Sequence, residues 1–92
     1  MVEIRLEFDK LLTSLAGNKF GVSEFEKQIK EVKYENKYKI IFPDRIRYIA
    51  TSFIQGFFQK FVETIGISGI EEKVEVSSSI ENLKQLIIDC LV

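Results

Sequence analysis

The feature of the chain that most constrains its fold is an apolar segment with helical spacing. Its apolar residues form two neighbouring rows, which are Phe53, Phe57, Phe61 and Ile65, and Ile54, Phe58 and Val62. Residues four apart lie on one side of an α-helix, so the two rows make one broad apolar face. We expect this helix to be the centre of the core. Gly66, which readily takes a positive φ, is expected to end it.

Three segments are predicted to be β-strands, and the first and third of them alternate apolar and polar residues as half-buried strands do. They are "VEIRLEF" (2–8), "KYKIIF" (37–42) and "KVEV" (73–76). The second is the most apolar and is expected to lie at the centre of a sheet. It ends at Pro43, which has no amide hydrogen for a strand ladder.

Each of the three predicted helices begins with a capping-box pattern, Ser followed three residues later by Glu or Gln. The pairs are Ser23/Glu26, Ser52/Gln55 and Ser78/Glu81. The first helix is predicted over residues 23–32 and the last over residues 79–92. Residues 9–21 fit either a short extra strand or a turn of helix.

Strands that alternate with helices predict an α/β fold with a mainly parallel sheet. The outer strands carry a charge on every second residue, which favours helices on one sheet face only. We therefore expect a two-layer sandwich, with a mainly parallel mixed sheet of about four strands. The 92 residues are predicted to form a single domain, 1–92.

Charge and hydropathy argue against nucleic-acid and membrane partners. The 13 basic and 14 acidic residues are mixed along the chain and leave a net charge of −1. No basic stripe is available to contact phosphates. No apolar run is long enough to cross a bilayer, and the first ten residues do not resemble a signal peptide. The chain is predicted to be cytoplasmic.

The reactive residues argue against catalysis. The chain has no histidine and a single cysteine, Cys90. Histidine-activated nucleophiles, intrachain disulfides and ordinary zinc sites therefore have no residues to build them. Cys90 is predicted to be a small buried hydrophobic residue. Glu71 and Glu72, beside Lys73, are predicted to lie in a solvated turn. We expect no enzymatic activity, no cofactor and no metal site.

Ser52 and its neighbour Thr51 stand directly before the apolar helix and have two readings. Ser52 fits an N-cap whose side chain satisfies a free amide of the first turn. The same position suits a phosphate, because a helix amino terminus carries free amides and the positive end of the dipole. A cap and a phosphoacceptor are compatible uses of one hydroxyl, so both readings stay open.

The order of these segments resembles the STAS-like domain family of unknown function, a bacterial group related to sulphate-transporter and anti-sigma-factor-antagonist domains. The resemblance covers the chain from Val2 to its end. It rests on a strand ending in "IIF", a short connector, "IATSFIQGFFQKFVETIGI", the strand "KVEV" and a Ser-led last helix. Its most specific part, "TSFIQGFF", is similar to the family's Ser-Ser-Phe segment and the bulky apolar helix that follows.

The resemblance implies a regulatory protein–protein interaction module. Anti-sigma-factor antagonists bind GHKL-type ATPase/kinase proteins and are switched by phosphorylation of a serine at the start of the second helix. Laid on this chain, the candidate phosphoacceptor is Ser52, with Thr51 beside it. The antagonists have Asp two residues before that serine and Gly after it, where this chain has Ala50 and Phe53.

We expect a partner to dock around this helix start, contacting Arg45, Arg47, Tyr48 and Phe53. Arg and Tyr are enriched at interface hot spots. Two alternatives follow from the residues themselves. The chain could self-associate as a homodimer through an open sheet face or edge strand. It could also bind a nucleotide or another anion at the Ser52 helix start.

Overall fold

A computed structural model, which describes residues 1–92, has an α/β fold. Its elements are β1 (Val2–Arg5), β2 (Ser14–Leu15), α1 (Asn18–Gln28), β3 (Tyr38–Ile41), β4 (Tyr48–Ile49), α2 (Thr51–Phe57), α3 (Gln59–Lys73), β5 (Val74–Ser77) and α4 (Leu83–Leu91). The strands form a three-stranded sheet of order β1–β3–β5 and a separate two-stranded sheet of β2 and β4. Every strand pair is parallel. The predicted α/β class and parallel pairing are confirmed, while the single sheet of about four strands is replaced by two sheets.

The central strand, β3, is the one that the sequence predicts. Tyr38 and Ile40 are buried, whereas Lys39 and Ile41, which alternate with them, are partly exposed. The strand register places Lys39 between Glu3 of β1 and Glu75 of β5. One side of the sheet therefore packs on the core, and the other carries charged residues.

The apolar segment lies at the centre of the core, but it is broken into two helices. The ring side chains of Phe53, Phe57, Phe58 and Phe61 are all at most 1% exposed. Helix α2 ends at Phe57, and α3 begins at Gln59, with Phe58 in a non-helical conformation between them. Gly66 has a positive φ of 70° and non-helical backbone angles, so it divides α3 into two helical stretches, the second of which runs to Lys73. The predicted helix end at Gly66 is therefore confirmed.

The predicted starts of α1 and α4 are wrong. Helix α1 begins at Asn18, so Ser23 lies inside it. Before α4, the N-cap is Asn82 in the left-handed region, with a φ of 55°. The Ser78 hydroxyl instead accepts a hydrogen bond from the Ile80 amide at 3.0 Å. Serine side chains readily bond to nearby backbone in turns, and a Ser-x-x-Glu pattern does not distinguish these turns from a helix start.

The segment 9–21 contains both structures that the sequence left open. Strand β2 occupies Ser14–Leu15, and α1 begins three residues later. The sequence did not indicate its partner β4. Glu71 and Glu72, predicted as a turn, are exposed residues in the last part of α3. None of the helices is sufficiently long and apolar to pass through a membrane.

Candidate functional site

The two-stranded sheet brings two helix starts to the same place. In its parallel register Ser14 pairs with Tyr48 and Leu15 with Ile49. Helix α1 begins three residues after β2, and α2 begins two residues after β4. Because both strands run in the same direction, both helices start beyond the carboxyl ends of the strands, at the same end of this sheet. We call the exposed residues beside the second start, Arg47, Tyr48, Thr51 and Ser52, the α2 entry surface.

Ser52 joins the two helix starts through one hydrogen bond. Its exposed hydroxyl oxygen accepts from the backbone amide of Gly17 at 3.0 Å, across 35 residues of chain. Gly17 is the N-cap residue of α1, so Ser52 supplies an acceptor to the start of another helix. Ala50, in an extended conformation, occupies the N-cap position of α2 and makes no side-chain cap. The prediction that Ser52 caps its own helix is therefore wrong.

Thr51 lies on the other side of the same helix start. It is exposed, and its hydroxyl oxygen lies 3.6 Å from the Cys90 sulfur on α4. Cys90 is only partly buried, whereas the sequence predicts a buried residue. This contact links Thr51, the first residue of α2, to α4.

Arg47 and Tyr48 present their side chains to solvent. Tyr48 is 62% exposed, which is high for a large aromatic residue within a strand. Arg47 is exposed as well, while its backbone amide donates to the Thr13 carbonyl at 2.7 Å. The backbone holds both residues beside the α2 start and leaves their side chains free for an external contact.

Arg45 has a different role from the one predicted. Its guanidinium donates to the carbonyl oxygens of Phe8 and, at 3.1 Å, Asp9. Its Nε is buried without a hydrogen-bond partner. The side chain ties the connector after β3 to the connector after β1 and is not directed toward a partner.

Phe53 belongs to the core. Its side chain is fully buried, with ring centroids 5.6 Å from Phe20 and 5.4 Å from Phe57. It therefore offers no surface to a partner in this conformation. The same burial takes its ring away from the neighbouring Ser52 hydroxyl, which stays exposed.

The helices α1 and α2 touch at two glycines that the sequence analysis did not single out. A Cβ added at Gly21 would lie 2.8 Å from the Phe57 amide nitrogen, and one added at Gly56 would overlap the Asn18 carbonyl. Such contacts with backbone atoms are too close for any side chain. Gly56 lies within an apolar helical pattern, where glycine costs about 1 kcal/mol of helix stability relative to alanine. A glycine at such a position is the sequence signal for close packing against another element.

The rest of the structure offers little coordinating chemistry. No group of three or more Cys, Asp or Glu side chains is arranged to hold a metal ion. Glu24, the one buried charged residue, accepts a hydrogen bond from Gln28 at 2.7 Å and lies 3.5 Å from the Lys27 amine. This carboxylate is thus already engaged within α1.

Comparison with protein-family models, with curated proteins and with solved structures finds no match to this chain.

Proposed function

We propose that the protein is a non-enzymatic regulatory module whose partner docks on the α2 entry surface, with Ser52 as its phosphoacceptor. The observation that carries the proposal is the exposed Ser52 hydroxyl bonded to Gly17 at the junction of two helix starts. A group added there changes the charge of the surface and the contact between α1 and α2 together. The STAS-like resemblance of the chain, with its two-layer sandwich and a GHKL-type ATPase/kinase as partner, is part of this proposal.

Phosphorylation would act at Ser52 mainly through charge. A phosphate adds about −1.5 to −2 charges, against a net charge of −1 for the whole chain. The Gly17 amide, which donates to the hydroxyl now, is a suitable donor to a phosphate oxygen. Phe53 supports access to Ser52, since its bulk points into the core and not toward an approaching kinase.

The accessible part of the α2 entry surface is suited to protein contacts. Tyr48 supplies an exposed aromatic ring, and Arg47 a flexible cation beside it. Tyr and Arg are the residue types that most often anchor interfaces. Arg45 and Phe53 are removed from the predicted contact set, because one is bonded within the chain and the other is buried.

The test compares Ser52→Asp with Ser52→Asn in binding to candidate GHKL-type ATPase/kinase proteins. Both variants keep a side-chain oxygen for the Gly17 amide, but only Asp adds charge. We expect wild type and Ser52→Asn to bind a partner equally, and Ser52→Asp to bind at least about tenfold more weakly, a difference of 1.4 kcal/mol. Equal binding by all three proteins would make Ser52 a structural residue only.

A second comparison tests the location of the partner. Tyr48→Ala should weaken binding by about 1 kcal/mol or more. The matched control is Tyr34→Ala, since Tyr34 is 68% exposed and lies outside this surface. Circular dichroism should find both variants folded. Equal effects of the two substitutions would place the partner elsewhere.

A further inference from the structure

Strand β1 is an edge strand with free backbone groups. It pairs with β3 on one side only. The amides of Val2 and Leu6 donate toward β3, at 2.7 and 2.9 Å. Alternate residues of a parallel strand bond to the same neighbour, so Glu3 and Arg5 direct their amide and carbonyl groups to the outer edge.

The side chain of Gln28 closes the far end of this edge. It accepts from the Glu7 amide at 2.7 Å and donates to the Glu7 carbonyl at 2.8 Å. One side-chain amide thus makes the two hydrogen bonds that a neighbouring strand would make. The free backbone of the edge is thereby restricted to β1 itself.

The side chains of β1 differ on its two sides. Toward the core, Val2 is 38% exposed and Ile4 is half-buried. On the other side, the side chains of Glu3 and Arg5 are 51% and 76% exposed and lie 3.5 Å apart. An edge with free backbone groups and exposed apolar side chains is a template for pairing with another strand.

We infer that two copies of the chain associate by antiparallel pairing of β1 with β1, about a two-fold axis at Ile4. In this register Glu3 of each copy lies opposite Arg5 of the other, and these are the residues whose backbone groups are free. Both symmetry-related pairs then join opposite charges on one side of the sheet, while Ile4 meets Ile4 on the core side. The result is a continuous six-stranded sheet.

Charge selects this register over its neighbours. Moving one copy by two residues sets Glu3 opposite Glu3, or Arg5 opposite Arg5, and like charges opposite each other destabilise a strand pair. A second copy is the occupant that the edge fits, because a two-fold contact requires one patch to complement itself. The sequence Val-Glu-Ile-Arg does so when it is read antiparallel about Ile4.

The other edge of the sheet, β5, lacks this complementarity. The carbonyl of Ser77 accepts from the amide of Phe42, directly after β3, so Val74 and Val76 direct their backbone groups outward. A two-fold pairing that used both valines would set Glu75 opposite Glu75. Val74 is also buried, at 1% exposure. Association is therefore expected at β1 and not at β5.

Sedimentation equilibrium with charge-swapped variants tests the inference. We expect wild type to be in monomer–dimer equilibrium. Glu3→Arg and Arg5→Glu should each weaken the dimer by at least about tenfold, because both symmetric pairs change from attraction to repulsion. An equimolar mixture of the two variants should restore association, since every cross-strand pair then joins opposite charges. Glu75→Arg, the matched control on the same sheet side, should leave the dimer unchanged.

Three results would overturn the inference. They are a wild type that stays monomeric up to about 1 mM, single variants that dimerise like wild type, and a mixture that fails to recover association. The substituted side chains are exposed, and circular dichroism verifies that the variants are folded. Tyr48→Ala should not change self-association, so this inference and the proposed partner site fail independently.

Discussion

At the scale of single residues, two arginines two positions apart have opposite roles. The sequence presents Arg45 and Arg47 alike, as cations in a loop that suit an interface. The structure engages the guanidinium of Arg45 with two carbonyl oxygens and leaves that of Arg47 exposed. Whether an acceptor lies within reach depends on the connector after β1, which is more than 30 residues away in the chain.

This difference predicts unequal effects on stability. Arg45→Met should lower the free energy of unfolding by about 1–3 kcal/mol, because two acceptors lose a charged donor. Arg47→Met should change it by less than about 0.5 kcal/mol, as exposed substitutions usually do. Urea denaturation followed by circular dichroism measures both values. Equal losses would mean that the Arg45 contacts do not stabilise the fold.

At the scale of elements, the contact between α1 and α2 is set by glycine. The backbones approach so closely at Gly21 and Gly56 that neither position has room for a Cβ. This approach is also what brings the Gly17 amide to Ser52. The pair α1 and α2 thus both packs in the core and positions the residues of the candidate site.

Gly56→Ala is therefore expected to destabilise the protein even though alanine favours helix. The added methyl would meet the Asn18 carbonyl, and backbone cannot give way as a flexible side chain does. We expect a loss of about 2 kcal/mol or more in the free energy of unfolding. Gln55→Ala, at an exposed neighbour in the same helix, should change it by less than about 0.5 kcal/mol. A Gly56→Ala protein as stable as wild type would contradict the close packing of α1 on α2.

At the scale of the whole molecule, one core joins both sheets and all helices. Its 18 buried apolar residues form a single cluster, which includes Leu15 and Ile49 of the two-stranded sheet and Ile40 of the three-stranded sheet. Neither sheet has a core of its own. We infer that residues 1–92 fold as one cooperative domain.

The cooperativity of unfolding can be measured with two spectroscopic probes that report on different parts of the molecule. Far-ultraviolet circular dichroism follows all helices, whereas tyrosine fluorescence includes the buried Tyr38, whose ring lies 5.4 Å from Phe61. The chain has no tryptophan to obscure this signal. In urea the two transitions should coincide. Two separate midpoints would indicate that the sheets unfold independently.

The α/β class, the parallel pairing, the central strand and the phenylalanine core are all predictable from the sequence. These features rest on the spacing of apolar residues, which is local and survives in any context. The helix starts are predicted poorly. Ser23 lies inside α1, and the hydroxyls of Ser52 and Ser78 accept from the amides of Gly17 and Ile80 and do not cap the helices that follow them.

Where the ends of the elements meet is visible only in the folded chain. It assigned the Ser52 hydroxyl to Gly17, took Phe53 out of the candidate surface and left the outer edge of β1 open. Each of these facts depends on segments far apart in the chain. The spacing of side chains along one segment does not indicate which distant segment will donate a hydrogen bond to it, bury it or pair with it as a strand.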